Sequence, residues 1–168
     1  MNYAAIKKCD IANGEGVRIS LFVSGCTHHC KGCFQPETWN FDYGNPFDET
    51  TEDELIKALE PDYIAGLTLL GGEPMEPENA KRLLPFVKRV RETYPSKNVW
   101  CYSGYLFEEL MEREESRKLL ELIDVLVDGE FVEEQKNISL QFRGSENQRI
   151  IDVTKTLKDG SVVLWNLT

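Results

Sequence analysis

Apolar and polar positions along the chain switch between a short and a long period. Val17-Arg-Ile-Ser-Leu-Phe-Val-Ser24 alternates and is rich in β-formers, which predicts a strand. Ile64–Leu70 is a mostly apolar run that predicts a buried strand ending in Gly71-Gly72. Asn98-Val-Trp-Cys-Tyr102, closed by Ser103-Gly104, predicts a third strand, and Asp124-Val-Leu-Val127 a fourth. Between the strands the period lengthens. Thr51-Glu-Asp-Glu54 reads as a capping box that opens a short helix with Leu55, Ile56 and Leu59 on one face. Pro77 opens the next helix, with Ala80, Leu83, Leu84, Val87, Val90 and Tyr94 at helical spacing and a kink expected at Pro85. A charged helix is predicted from about Leu106 to Leu122, with Leu110, Met111, Leu119 and Leu120 inward. Arg149–Val153 and Val162–Trp165 read as short late strands.

No repeat of fixed period, low-complexity tract or linker interrupts this order, so the 168 residues are expected to form one domain, 1–168. Strands alternating with helices imply an α/β fold, either a parallel sheet or an open barrel. In such folds ligands gather at the C-terminal ends of the strands. Each motif can be tested against that rule.

Composition narrows the function classes. Hydrophobic residues at 41% and charged residues at 29% suit a soluble globular chain. A net charge of −10 argues against a nucleic-acid or anionic-membrane surface, because both need clustered Lys and Arg. The opening MNYAAIKKCDIANGEG has no apolar core of a secretory signal, and no apolar run is long enough to span a bilayer. A cytoplasmic location is expected, and in that reducing compartment five cysteines point to ligands, reactive thiols or core residues rather than disulfides.

Three of the five sit in Cys26-Thr-His-His-Cys30-Lys-Gly-Cys33, directly after the first predicted strand. A turn this polar is no core segment, and three thiolates so close in sequence converge on one centre if the loop curls. Thiolates favour zinc and iron–sulfur clusters. A four-iron cluster usually takes four cysteines, so three would leave one iron open to a chelating substrate. His28 or His29 as a fourth ligand would instead close a zinc site.

Gly71-Gly72-Glu73-Pro74 ends the next strand. Its glycines let a ligand approach the backbone, and Glu73 offers an acceptor to a cationic amine; a tight strand-to-helix turn would use the same residues. Tyr102-Ser103-Gly104-Tyr105 and Asp128-Gly129 close the third and fourth strands, as ligand contacts or as helix caps and turns. Asn13-Gly-Glu-Gly16 precedes a strand rather than opening a helix, so the dinucleotide fingerprint fails and a turn or partner-facing loop remains.

Taken in order, Asp10–Arg18, Phe22-Val-Ser-Gly-Cys26, Gly32-Cys-Phe34, Thr38-Trp39, Gly71-Gly-Glu-Pro74, Tyr102-Ser-Gly-Tyr105, Val127-Asp-Gly129 and Arg143-Gly-Ser-Glu-Asn-Gln-Arg149 resemble the anaerobic ribonucleoside-triphosphate reductase activating proteins of the radical S-adenosylmethionine superfamily. Two positions depart from that pattern: Glu15 stands where many members have Pro, and Cys101-Tyr102 where they have an aromatic pair including Trp. The superfamily's common aromatic before the third cysteine is Gly32 here, as in the activase subgroup.

The resemblance implies an incomplete (βα) barrel and an enzyme whose Cys26, Cys30 and Cys33 hold a 4Fe-4S cluster with one open iron. It implies that S-adenosylmethionine chelates that iron, near Gly32, Cys33 and Phe34. Gly71, Gly72 and Glu73 would bind its amino group, and Ser103 and Asp128 other polar parts. An electron from a donor such as flavodoxin would release a 5′-deoxyadenosyl radical, which would take hydrogen from a glycine of the large reductase subunit. Activation of another glycyl-radical enzyme, and a non-catalytic zinc-binding interaction module, are the rival expectations. For Arg143–Arg149, a surface turn with solvated arginines and a partner contact stay open.

Overall fold

The structure, a computed structural model, describes residues 1–167. Seven strands form one mixed sheet: β1 (Asn2–Asp10), β2 (Val17–Val23), β3 (Asn45–Pro46), β4 (Ile64–Gly71), β5 (Asn98–Ser103), β6 (Val125–Asp128) and β7 (Arg149–Asp152), in the order β3-β1-β2-β4-β5-β6-β7. The four central strands, β2, β4, β5 and β6, run parallel, with Leu21 beside Leu69, Leu69 beside Cys101 and Ser103 beside Asp128. β1 and β7 flank them antiparallel. The molecule is thus a small α/β fold with a mixed sheet, whose central strands all end at one edge.

Five helices accompany it: α1 (Glu49–Ala58), α2 (Pro77–Thr93), α3 (Phe107–Met111), α4 (Glu114–Leu120) and α5 (Val153–Asp159). The larger core lies between one sheet face and these helices. Ile19, Leu21, Leu67, Leu69, Val99 and Leu126 from the strands meet Leu55, Leu83, Phe86, Val90, Leu110 and Leu119. Alternation places Trp100, Val125, Val127 and Ile150 on the opposite face, with Tyr102, Phe142 and Trp165 packed against them.

Several boundaries differ from the sequence expectation. β1 was not predicted: Asn-Tyr-Ala-Ala-Ile-Lys-Lys-Cys-Asp carries weak β-propensity, and pairing with β2 overrides it. α1 begins before the expected box, because Asp48 is its N-cap and accepts from the Thr51 amide at 2.9 Å and hydroxyl at 3.0 Å. The long helix from Leu106 to Leu122 is two short ones. The Ser116 hydroxyl bonds the Leu110 carbonyl at 2.5 Å across the break. α2 runs through Pro85 as one helix. Val162–Trp165 makes only an isolated bridge, Leu164 to Ile151, rather than a strand.

Candidate functional site

The parallel register brings four loops together at one edge. Cys26–Cys33 follows β2, Gly72-Glu-Pro74 follows β4, Gly104-Tyr105 follows β5 and Gly129 follows β6. They open onto a cavity of about 580 Å³. Cys26, Cys30 and Cys33 line it beside Gly71 and Gly72. The loop is held from below by the turn at Pro36–Trp39: the Gly25 amide donates to the Thr38 carbonyl at 2.7 Å and the Cys26 amide to the Trp39 carbonyl at 3.2 Å. The His29 ring stacks on Trp39 with centroids 4.4 Å apart. The other two cysteines lie elsewhere, Cys9 exposed and Cys101 in the helix-side core.

All five thiols are free. Burial pushes the Cys26 thiol up to about 11 and raises that of Cys30. Neutral thiols are therefore favoured until a cationic centre displaces their protons, as metal binding does. Among the described residues no three His, Cys, Asp or Glu side chains surround a single-ion position. A four-iron cube needs no such point, since each thiolate binds its own iron. Three separate thiols around one cavity fit that group.

Gly72 is required by close packing rather than by open space. A Cβ there would lie 2.7 Å from the Gly25 carbonyl oxygen and 2.8 Å from that of Thr38. The glycine thus admits the backbone of the cysteine loop, and the Glu73 amide then donates to the Gly25 carbonyl at 2.7 Å. Gly104, just after β5, makes room for a side chain instead: a Cβ would lie 2.7 Å from the His28 ring.

Glu73 is fully buried. One carboxylate oxygen lies 2.7 Å from His28 Nε2 and accepts the Gly104 amide at 2.7 Å; the other accepts the Met75 amide at 2.9 Å. His28 Nδ1 meets Glu130 at 2.9 Å. Burial pulls the imidazole down, but the bonds and charges of Glu73 and Glu130 outweigh it and raise it to about 9. With both ring nitrogens engaged, His28 is a bridge between carboxylates rather than a zinc ligand.

The remaining predicted residues separate. Ser103 lines the cavity and its hydroxyl accepts the Tyr105 amide at 3.1 Å. Asp128 is fully buried and does not line the cavity; it accepts the Phe107 amide at 2.8 Å, at the start of α3, and Arg149 at 3.0 and 2.5 Å. That geometry is the helix-capping arrangement. Gly32 takes a left-handed φ of 78° and lies off the cavity wall. Phe34 lines the mouth, 66% exposed, with its ring centroid 5.1 Å from Phe131.

Sequence reasoning passed over His28 as a bridge, and Glu76, Asn79 and Glu130 altogether; Tyr105 it named only within the strand-end motif. Buried Asn79 donates to the Ser24 and Glu73 carbonyls, both at 3.0 Å, and so joins β2 to the turn after β4. A signal was present in Glu73-Pro-Met-Glu76, where two carboxylates stand one turn apart beside a glycine pair. In the loop Arg143–Arg149 the two arginines are half-buried and hydrogen-bonded, while Glu146 and Asn147 are exposed. Arg143 donates to the Glu146 and Gln148 carbonyls, Gln148 ties the Gly144 amide to the Gly129 carbonyl, and the loop walls one side of the cavity.

A family model described as a 4Fe-4S single cluster domain matches residues 12–151. The anaerobic ribonucleoside-triphosphate reductase-activating protein of Haemophilus influenzae is 47% identical over 152 residues, covering 89% of this chain and 97% of that protein. This chain belongs to that family. The activating proteins of Pasteurella multocida, 46% identical over 92% of this chain and 99% of its own, and of Enterobacteria phage T4, 41% identical over 89% and 93%, agree with it. A 4Fe-4S domain needs clustered thiols, and in this chain three line one cavity. No described helix is long and apolar enough to cross a membrane.

Proposed function

We propose that this protein is a radical S-adenosylmethionine enzyme that activates an anaerobic ribonucleoside-triphosphate reductase by generating its glycyl radical. The observation that carries this reading is the set of three free thiols, Cys26, Cys30 and Cys33, lining one cavity beside Gly71-Gly72. Cys26, Cys30 and Cys33 would hold a 4Fe-4S cluster, and with three protein ligands one iron would be free to take a chelating substrate such as S-adenosylmethionine. When bound, the cluster and S-adenosylmethionine together supply the radical chemistry.

The chain's own residues hold and exclude. The thiols release protons as they ligate. Gly71 and Gly72 present backbone at the cavity wall, and Ser103 offers a hydroxyl there. Phe34 and Phe131 shield the mouth. The cavity is open to one side, which suits a hydrogen donor delivered by a second protein, the large reductase subunit. A one-electron donor such as flavodoxin completes the system in the cytoplasm. On this reading residues 1–168 are one domain, and the open mixed sheet is a reduced form of the incomplete (βα) barrel.

The zinc-module alternative is disfavoured because His28 is engaged at both nitrogens, the His29 ring stacks on Trp39, and among the described residues no three His, Cys, Asp or Glu side chains surround a single-ion position. Anaerobic reconstitution with iron and sulfide, followed by electron paramagnetic resonance (EPR) with and without S-adenosylmethionine, tests the proposal. The expected result is a brown protein with about four irons per chain, whose reduced signal changes when S-adenosylmethionine is added. A colourless protein that retains zinc and takes up no sulfide contradicts it.

A further inference from the structure

Two buried carboxylates, three residues apart on the turn that leaves β4, face the cysteine loop. Glu73 is fully buried and Glu76 is 5% exposed. Their partners are consecutive residues between Cys26 and Cys30. One oxygen of Glu76 accepts the Thr27 amide at 3.2 Å, the Thr27 hydroxyl at 2.7 Å and the Tyr105 hydroxyl at 3.1 Å. One oxygen of Glu73 meets His28 at 2.7 Å and the Gly104 amide at 2.7 Å, while its second oxygen accepts the Met75 amide. Each carboxylate therefore joins the end of β4 to the cysteine loop and to the end of β5.

We propose that Glu73 and Glu76 are a pair of positioning residues: by gripping His28 and Thr27 they set where the cysteine loop stands relative to Gly71-Gly72 before S-adenosylmethionine arrives. The proposal rests on reading that loop as the cluster site. Glu73 also lines the cavity, and its second oxygen, bonded only to the Met75 amide, keeps a lone pair for a cationic amine, so the positioning role stands beside that of amine acceptor. Carboxylates suit the task because they accept from several converging N–H and O–H groups at once, and burial without those donors would be costly. Deleting either one orphans backbone amides of the site itself.

The bonding predicts an asymmetry between two conservative changes. All three donors to Glu76 converge on one oxygen, so a glutamine there can keep them. Donors to Glu73 occupy both oxygens, so a glutamine amide group must face a donor. Glu76→Gln, Glu76→Ala, Glu73→Gln and Thr27→Val would each be reconstituted anaerobically as the full chain. Iron and sulfide content, thermal melting, the EPR line shape of the reduced cluster and the dissociation constant for S-adenosylmethionine would be measured.

Glu76→Gln is expected to match the parent. Glu76→Ala and Glu73→Gln are expected to change the line shape before S-adenosylmethionine is added and to weaken its binding roughly tenfold, the size of one lost buried hydrogen bond. Thr27→Val, which keeps the amide bond, should shift both in the same direction by less. If Glu73→Gln does not fold, the Glu76 pair and Thr27→Val still decide. The proposal is overturned if Glu76→Ala and Thr27→Val match the parent, or if Glu73→Gln weakens only S-adenosylmethionine binding and leaves the cluster signal alone. A parent chain that takes up no cluster removes the functional reading and this proposal with it, whereas a normal parent with indifferent variants removes only the positioning role.

Discussion

The two faces of the sheet are made from alternate residues of the same strands, yet they hold different chemistry. Toward the helices, β2, β4 and β5 present Ile19, Leu21, Val23, Leu67, Leu69, Val99 and Cys101, all in one apolar core. Toward the other side they present Arg18, Ser20, Thr68, Trp100 and Tyr102. There a fully buried Arg18 donates to the Thr68 hydroxyl at 2.7 Å and to the Leu67 and Glu15 carbonyls at 2.9 Å, over the Trp100 ring. Burial pulls this guanidinium down to about 10. The apolar face holds the fold by area removed from water. The other, polar face combines the smaller apolar cluster around Trp100 with buried polar groups such as Arg18 that need particular acceptors, and at its open end are the cavity and the thiols.

The comparison breaks most sharply at the cysteines. Serine at Cys26, Cys30 or Cys33 should abolish a stable cluster and all cleavage of S-adenosylmethionine, read by iron content and 5′-deoxyadenosine yield. Serine at Cys101, on the apolar face, or at exposed Cys9 should leave the cluster content of folded protein intact. Loss at either would reveal a fourth protein ligand and remove the open iron.

Gly72→Val comes next. Its side chain would meet the backbone of Gly25 and Thr38 rather than open cavity. Cluster content and S-adenosylmethionine binding should therefore fall together. Intact cluster with weakened binding would mean that the glycine serves the cofactor alone.

On the apolar face, Leu69→Ala should cost about 2–5 kcal/mol in denaturant unfolding through the cavity it leaves. The cluster content of the folded fraction should not change. A selective loss of cluster would show that the two faces are coupled.

The smallest effect concerns Asp10, at the rim of the polar face. Burial pushes its carboxyl up, but bonds from Ser20 at 2.6 Å, Asn13 at 2.8 Å and the Ala12 amide at 2.9 Å outweigh it and hold it below the usual range. Its stabilisation is thus fully present above the unfolded carboxylate value of about 3.9 and fades as pH falls through the lower folded one. Denaturation midpoints followed across that acid range should fall less steeply in Asp10→Asn than in the parent. Equal slopes would show that the network does not favour the charged form.

The four central strands were legible because short runs of β-formers, alternating in β2 and mostly apolar in β4, stop at glycine-containing turns, and their ends pointed to the candidate site. β1 was not, because its residues form a strand only once β2 offers an edge. Glycine in Gly71-Gly72 was read as room for a cofactor, whereas its immediate neighbour is the loop backbone. Asp128 stood at the right strand end, but the partner that claims it, Arg149, is 21 residues away and nothing local announces the pair. Glu76 escaped for a similar reason. Its meaning lies in Thr27, 49 positions earlier, and only the fold joins them.

The central claim is that this cavity delivers a radical to a second protein. The most direct measurement mixes the reduced, reconstituted chain with S-adenosylmethionine and the large subunit of an anaerobic ribonucleotide reductase under strict exclusion of oxygen, and records the EPR spectrum of the mixture. The account predicts a glycyl radical on the reductase, formed as S-adenosylmethionine is consumed and absent with Cys30→Ser. Production of 5′-deoxyadenosine with no radical on the reductase would contradict it.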